Sequence, residues 1–521
     1  MNRRDFVRTA TVFGAAYNLA GAALQESGDK GKPSQRTPPP VKTAIEPNVR
    51  PRADQVNCDI ADYVMGGGSI SAEAYVTAHH CLIDTIGCGM AALSFPACTK
   101  LLGPLVPGTI VPNGAKVPGT SFQLDPVEAA FHLGTLNRWL DYNDAWLAAE
   151  WGHPSDNLGA ILAVGDWLSR TATAAGRPPL LMHDLLTALI KAYEIQGILS
   201  NLNSLNRVGL DHVLLVKVAS TAAVAHMLGL PREQIINALS HAWCDGGPLR
   251  TFRHSPNVGS RKSWAAGDAA ARAVRLALIA RTGEMGIPSV LSAKDWGFYD
   301  VLFKGKTFEF DRPYGCYVME NILFKVSYPS GFHIQSAVEC AVKLHAPVEG
   351  RLDQIKQITI RTHESTMRYL VKKGPLNNPA DRDHCVQYAV AIGLLKGDLV
   401  AGDYEDDVAR DPRIDPLREK MVCVEDPAFT KAYFDPERHA NPNAIRIEFT
   451  DGAALPEVVV EYPIGHRRRR QEGVPLLKEK YRQNLDGRFP PAQRDKILAL
   501  SFDPTRVAAM PVHEFVDAFV T

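Results

Sequence analysis

The sequence predicts a mainly α protein in which a large all-helical domain is interrupted by a smaller α+β domain. Three observations carry this. Between Cys58 and Tyr299 long stretches repeat Ala, Leu and Val at helical spacing, several of them apolar nearly all round, as the buried helices of a large bundle must be. From Phe324 onward helical segments alternate with short β-branched runs. Beyond residue 470 the pattern turns helical again. With 521 residues and 45% hydrophobic content the chain can bury more than one core.

Taken in order, residues 1–54 stand apart. Arg3, Arg4 and Arg8 precede an Ala/Gly-rich stretch with no carboxylate after Asp5, which is a targeting signature. Its wording fits either a twin-arginine export signal or a mitochondrial presequence. The polar, proline-rich residues 25–54 read as a disordered linker. The first part of the helical domain, 55–323, carries expected helices at 72–92, 126–147, 158–175, 182–201, 214–228, 232–243 and 261–283. The α+β domain, 324–470, carries expected helices at 332–344 and 383–397 and expected strands at 355–362, 443–449 and 457–462. Residues 471–521, with helices near 476–483, 491–499 and 512–519, return to the helical domain.

Charge and cysteine usage exclude several function classes. The 57 basic and 57 acidic residues cancel, so no global field favours nucleic acid, and no later apolar run is long enough for a membrane span. The short cluster Arg467 to Arg470 reads as a dimer contact or an exposed turn. Nine scattered cysteines form no CxxC pair, which fits buried thiols in a reducing compartment and argues against a cysteine-held iron–sulfur cluster. HExxH, EF-hand and zinc-ribbon spacings are absent too, so neither metal nor cofactor is expected.

The chemistry concentrates in LDYNDAWLAAEWGHPSDNLG, Leu140 to Gly159. Read as helix, Asp141 and Asp144 share one face, and Gly152 with Pro154 breaks that helix and leaves His153 at a junction. Ser155 and Asp156 suit the cap of the next apolar run. The alternative is a solvated acidic edge with His153 as a cap, but Trp139, Tyr142, Trp146 and Trp151 wall the acids with aromatic bulk. Downstream, His212 opens an apolar helix. Arg261 and Lys262 stand at the start of another, where cations oppose the helix dipole unless an anion is held there. Lys325 lies among apolar residues at the domain junction, and Arg382 and Tyr388 flank the start of a helix in the small domain. Acids, bases and cations without a metal cage point to an anionic substrate handled by proton transfer.

These phrases, with KAYEIQG, LRTFRHSPN, GSRKSWAAGDAAARAVRLAL, WGFYDVLFKGK, RPYGCYVMENILFK, DHCVQYAVA and EYPIGHRRRR, resemble the MmgE/PrpD family, which contains 2-methylcitrate dehydratase and cis-aconitate decarboxylase. The resemblance covers the chain from about Cys58 and implies a helical domain, an α+β lid, a site between them and a homodimer. It implies as catalytic residues Asp141, His153, His212, Lys262, Lys325 and Tyr388, with Arg261, Asp144, Ser155 and Arg382 as candidate substrate contacts. The implied reaction is loss of water from 2-methylcitrate in propionate breakdown, in the cytoplasm or mitochondrial matrix, without a cofactor. His212 is the expected base, and His153 or Tyr388 the expected acid; the residues also allow the roles to be exchanged. Asp141 would orient a histidine or lysine, and Lys262 and Lys325 would face developing negative charge. Ala145 departs from the threonine usual in the family and removes a hydroxyl from the site. A decarboxylase or a noncatalytic tricarboxylate-binding scaffold are the alternatives.

Overall fold

In the computed structural model, residues 48–66, 68–244 and 247–520 are described. The expected targeting segment and the linker up to residue 47 lie outside them.

Eight longer helices form the first part: α1 (Gln55–Met65), α2 (Ala72–Ala92), α3 (Pro126–Arg138), α4 (Leu158–Ala174), α5 (Met182–Leu202), α6 (Val213–Met227), α7 (Arg232–Cys244) and α8 (Arg261–Arg281). Caps set their starts. The Ser71 hydroxyl accepts from the Ala74 amide, and the Asp125 carboxylate accepts from Val127 and Glu128 ahead of α3, whose first residue is Pro126. Helices α5 and α6 are buried almost all round, which is why their sequences lack a polar face. Gly134 on α3 meets Gly267 of α8 and Gly159 of α4 so closely that a Cβ would collide with backbone, at 2.7 Å. That contact brings three helices together.

Among the described helices only α3 falls well short of its expected length. Its helix stops at Arg138, and the following residues form a pinned loop instead: Asp141 adopts φ 48°, Ala145 pairs with Leu323, and Trp146 pairs with Gly152. Asp141 and Asp144 therefore do not share a helical face.

A second core gathers apolar residues from Tyr328 to Val460, while the first runs from Ile60 to Val326 and resumes at Leu477. In the second, α9 (Gln335–Val348) and α10 (Val386–Lys396) pack against each other beside a four-stranded sheet. Its strands, β1 (Ile355–Thr362), β2 (Met421–Glu425), β3 (Asn443–Phe449) and β4 (Val458–Val460), lie in the order β2-β1-β3-β4. Strand β2 is parallel to β1, with Ile358 opposite Met421, and the other pairs are antiparallel. Sequence pattern missed β2, a short edge strand that leaves Val422 and Val424 exposed.

The chain then returns through α11 (Arg470–Leu485) and α12 (Pro491–Ser501) to the first core, where Leu477, Tyr481 and Phe515 are buried. Lys480 of α11 ties this return to the site: its ammonium pairs with Asp84 of α2 at 2.7 Å and donates to the carbonyls of Tyr142 and Lys325. The four-arginine cluster is an internal staple. Arg467 meets Glu73 and Asn321, Arg469 meets Glu339 and Glu472, and Arg470 donates to the carbonyls of Glu320 and Ile322.

Candidate active site

A cleft opens between the loop after α3, the start of α6, the Arg250–Arg253 turn, the segment Gly331–His333 and the residues Tyr369, Leu370 and His384. One wall is cationic, with Arg138, Arg250 and Arg253; histidines 153, 212, 254, 333 and 384 ring it.

Asp141 anchors the floor. The loop holds it with positive φ, and Arg138 and Lys325 both donate to its Oδ1. Burial alone would raise its carboxyl, but those two cations hold it well below the usual carboxylate range. Lys325 also donates to the Asp141 carbonyl at 2.7 Å. Stripped of water, the Lys325 ammonium is pushed down to about 8, with Asp141 opposing the shift.

Lys262, the second residue of α8, donates to Asp383, to the Ala380 carbonyl and to His384 Nδ1 at 3.0 Å. Asp383 is thus the anion that offsets a cation at this helix start. His384 stands at the cleft wall with Nδ1 2.8 Å from Asp383 and Nε2 3.4 Å from the Asp141 Oδ2. Burial and Lys262 push its imidazole down to about 4, so the ring is neutral. Among the described residues, Asp141, Asp383 and His384 are the one group whose ligand atoms gather as a cation site would, within 4.8 Å. Arg138, Lys325 and Lys262 already supply positive charge to them.

The two histidines of the opening motif and of α6 differ sharply. His153 is saturated: Arg138 donates to Nε2 at 2.7 Å and Nδ1 donates to the Asp144 carbonyl at 2.7 Å. This fixes a neutral ring with no proton facing the cleft. Among the described residues His212, 2% exposed, has no hydrogen-bond partner at either ring nitrogen, and Asp211 stands 3.6 Å from its Nδ1. Burial pushes both rings well below 6.5, with further depression of His153 by Arg138.

Other expected contacts lie away from the cleft. Asp144 accepts from the Ser155 amide and hydroxyl and from the Tyr193 hydroxyl, so both Asp144 and Ser155 serve to fix the loop. Burial raises the Asp144 carboxyl, the opposite of Asp141, because its partners are neutral. Arg261 is half-buried on α8, paired with Asp268 and stacked on Trp264. Arg382 donates to the Tyr404 carbonyl and pairs with Asp406, and the Tyr388 hydroxyl donates to the Asp403 carbonyl at 2.6 Å. Tyr388 is therefore turned into the second core, which leaves the acid role assigned to it without a proton at the cleft. Sequence reasoning placed Arg250, Arg253 and His384 in clusters that could meet His153 but gave them no role, and it passed over Arg138 and Tyr369. The phrases LRTFRH and DHC held the signal, since a turn with arginines three apart presents both to one side. Asp211 binds that pair: Arg253 donates to both its oxygens, and Arg250 links it to Glu150.

Fold and site together fit an enzyme with a cationic, histidine-lined cleft between a helical bundle and an α+β unit. The chain belongs to the MmgE/PrpD family: the family's N-terminal domain matches residues 59–311 and its C-terminal domain residues 328–503. It is 63% identical over 478 residues to the 2-methylcitrate dehydratase of Salmonella typhimurium, covering 91% of this chain and 99% of that one. It is 64% identical to the enzyme of that name from Cupriavidus necator, covering 90% and 98%. The mitochondrial 2-methylcitrate dehydratase of Yarrowia lipolytica is 54% identical over 517 residues, 98% of this chain and 99% of that one.

Proposed function

We infer that this chain is a 2-methylcitrate dehydratase, a hydro-lyase that removes water from 2-methylcitrate to give 2-methyl-cis-aconitate in propionate catabolism. The observation that carries the reading is His212: a buried, neutral imidazole with free ring nitrogens beside a cationic cleft. The relatives named above supply the substrate.

His212 takes the proton from the carbon next to a substrate carboxylate. The charge that develops faces Arg138, Arg250 and Arg253, whose donors are already oriented by Asp141, Glu150 and Asp211. As the carbon–carbon double bond forms, the carbon–oxygen bond breaks and the hydroxyl leaves as water. Its proton comes from His384 Nε2, while Lys262 passes a proton to Nδ1 across 3.0 Å. Lowered by burial, Lys262 is a better acid than an exposed lysine. No metal is required, because Arg138, Lys262 and Lys325 supply the positive charge.

The enzyme works as a homodimer inside the cell, in the cytoplasm or the mitochondrial matrix. The Yarrowia relative, mitochondrial by name, aligns over a length that reaches into the N-terminal segment. Among the described residues no helix is long and apolar enough to cross a membrane. Cell fractionation and sequencing of the mature N-terminus test the compartment.

The activity test is the ultraviolet rise from conjugated product when EDTA-treated protein meets 2-methylcitrate, with carbon dioxide followed on cis-aconitate. A chelator-resistant rise supports the dehydratase. Carbon dioxide release without that rise makes the chain a decarboxylase, and silence on both makes it a binding scaffold.

A further inference from the structure

Lys262 and Lys325 are not the only buried lysines committed to this region. Lys480 of α11 is 4% exposed, and its ammonium spends three protons on three acceptors: Asp84 of α2 at 2.7 Å, the Tyr142 carbonyl at 2.7 Å and the Lys325 carbonyl at 2.8 Å. Tyr142 directly follows Asp141, so Lys480 grips the backbone of the same two segments that Lys325 joins by its side chain, where the Lys325 ammonium donates to the carbonyl and the carboxylate of Asp141. The contacts close a ring that runs from Lys480 through Tyr142, Asp141 and Lys325 back to Lys480. The Tyr142 hydroxyl adds a further tie between the segments, since it donates to the carbonyls of Val326 and Ser327 at 3.1 and 3.0 Å. Helix α11 is set for this grip by close packing on α2: a Cβ at Gly87 would stand 2.8 Å from the Tyr481 ring. A buried ion pair adds little to stability by itself, because both charges give up water. This one is spent on ordering the backbone beside the Asp141 carboxylate.

We propose that Lys480, aimed by Asp84, is a positioning residue of the active site: it sets the Asp141 loop against the Lys325 segment and so holds the Lys325 ammonium on Asp141. The kinetic consequence rests on the dehydratase reading above, while the geometric one does not. Lys480 acts through Asp141, which lines the cleft, and through Lys325. Arg250 and Arg253 are oriented separately, by Glu150 and Asp211, so substrate binding should depend on Lys480 less than turnover does.

The test is the full-length double variant Asp84→Asn with Lys480→Met, which removes one negative and one positive charge together and leaves Asp141, Asp383 and Arg138, the charged groups facing Lys325, in place. With 2-methylcitrate, kcat should fall roughly 10- to 100-fold, the worth of a displacement of about 1 Å, while KM stays nearly constant. The alkaline fall should also move below pH 8, because a Lys325 held less firmly loses part of the support that Asp141 gives its charge. An earlier melting transition with kcat and the alkaline fall both unchanged overturns the inference and leaves Lys480 a structural residue, and so does a lower kcat with the alkaline fall unmoved. Should the double variant not fold, Asp84→Asn alone keeps Lys480 but removes the carboxylate that aims it; smaller losses in the same direction support the inference, and none overturns it. If the unsubstituted enzyme leaves 2-methylcitrate untouched, the dehydratase reading fails, and crystal structures of the variants decide this inference without substrate. A Lys325 ammonium still 2.7 Å from the Asp141 carbonyl overturns it, and a displaced one supports it.

Discussion

His153 and His212 face each other with ring centres 5.7 Å apart, both buried and both neutral, yet one is fully bonded and the other is free. Arg138 and the Asp144 carbonyl use up both nitrogens of His153. Among the described residues nothing uses those of His212. An unsatisfied buried polar group is costly, and a fold keeps one where a ligand completes it. The pair thus separates two tasks: His153 holds the loop and its arginine in place, and His212 is left for substrate.

Removing the free ring gives the largest effect. His212→Asn should lower kcat by roughly 10²- to 10⁴-fold, the usual worth of a general base, with the thermal midpoint almost unchanged because no hydrogen bond is lost. A steady-state assay beside a melting curve decides it. If His212→Asn melts early while keeping its rate, the division of tasks is reversed.

His153→Gln tests the other half. Arg138 loses its acceptor and the Asp144 carbonyl its donor inside the fold, so stability should fall by about 1–3 kcal/mol. Urea unfolding measures this, and the loss of rate should be smaller than in His212→Asn.

The two histidines also mark what the sequence could reveal. Helix α2 and strands β1 and β3 were read with their observed ends, because their apolar periodicity is set by packing on a single core. The same logic failed after Arg138. Asp141, Asp144 and their aromatic neighbours keep a helix-like spacing, but Asp141 turns to φ 48° where Arg138 and Lys325 converge, and bridges replace the helix. Asp141, His153, His212, Lys262 and Lys325 do gather around the cleft. What local pattern could not show is which of them are already satisfied. Lys262 meets Asp383 and His384 across more than a hundred residues, and that pairing exists only once the second core folds. Tyr388 failed for the matching reason, since its hydroxyl is taken by a carbonyl of its own core.

The pH profile sharpens the contrast at a scale of about tenfold. A histidine with its ordinary acidity would give an acid limb near 6.5, but His212 is pushed well below that and remains a base throughout the neutral range. Lys325, lowered to about 8, sets the other side: its charge is present below that pH and lost above it. Activity should therefore stay level through pH 6.5 and drop about tenfold by pH 9. Lys325→Arg keeps the charge and should remove the alkaline fall. An acid limb at 6.5 would mean that water reaches His212 freely.

The smallest expected effect concerns Glu150, the buried partner of Arg250. Glu150 is buried, and loss of water pushes its carboxyl up to about 7 even though Arg250 pulls it down. A carboxyl raised in the folded state binds a proton there that the unfolded chain has already released. Its contribution to stability is thus present near pH 4.5 and is lost as pH rises to about 7. Glu150→Gln carries no such titration, so melting temperature followed from pH 5 to about 7.5 should decline less steeply in the variant. The histidines act in the opposite sense, because His384, lowered to about 4, must be charged on unfolding below 6.5 and so withdraws stability as pH falls. Parallel curves for both proteins would mean that Arg250 keeps Glu150 ionised. Arg250 would then be tied down in a charge pair with Glu150 and less able to meet substrate.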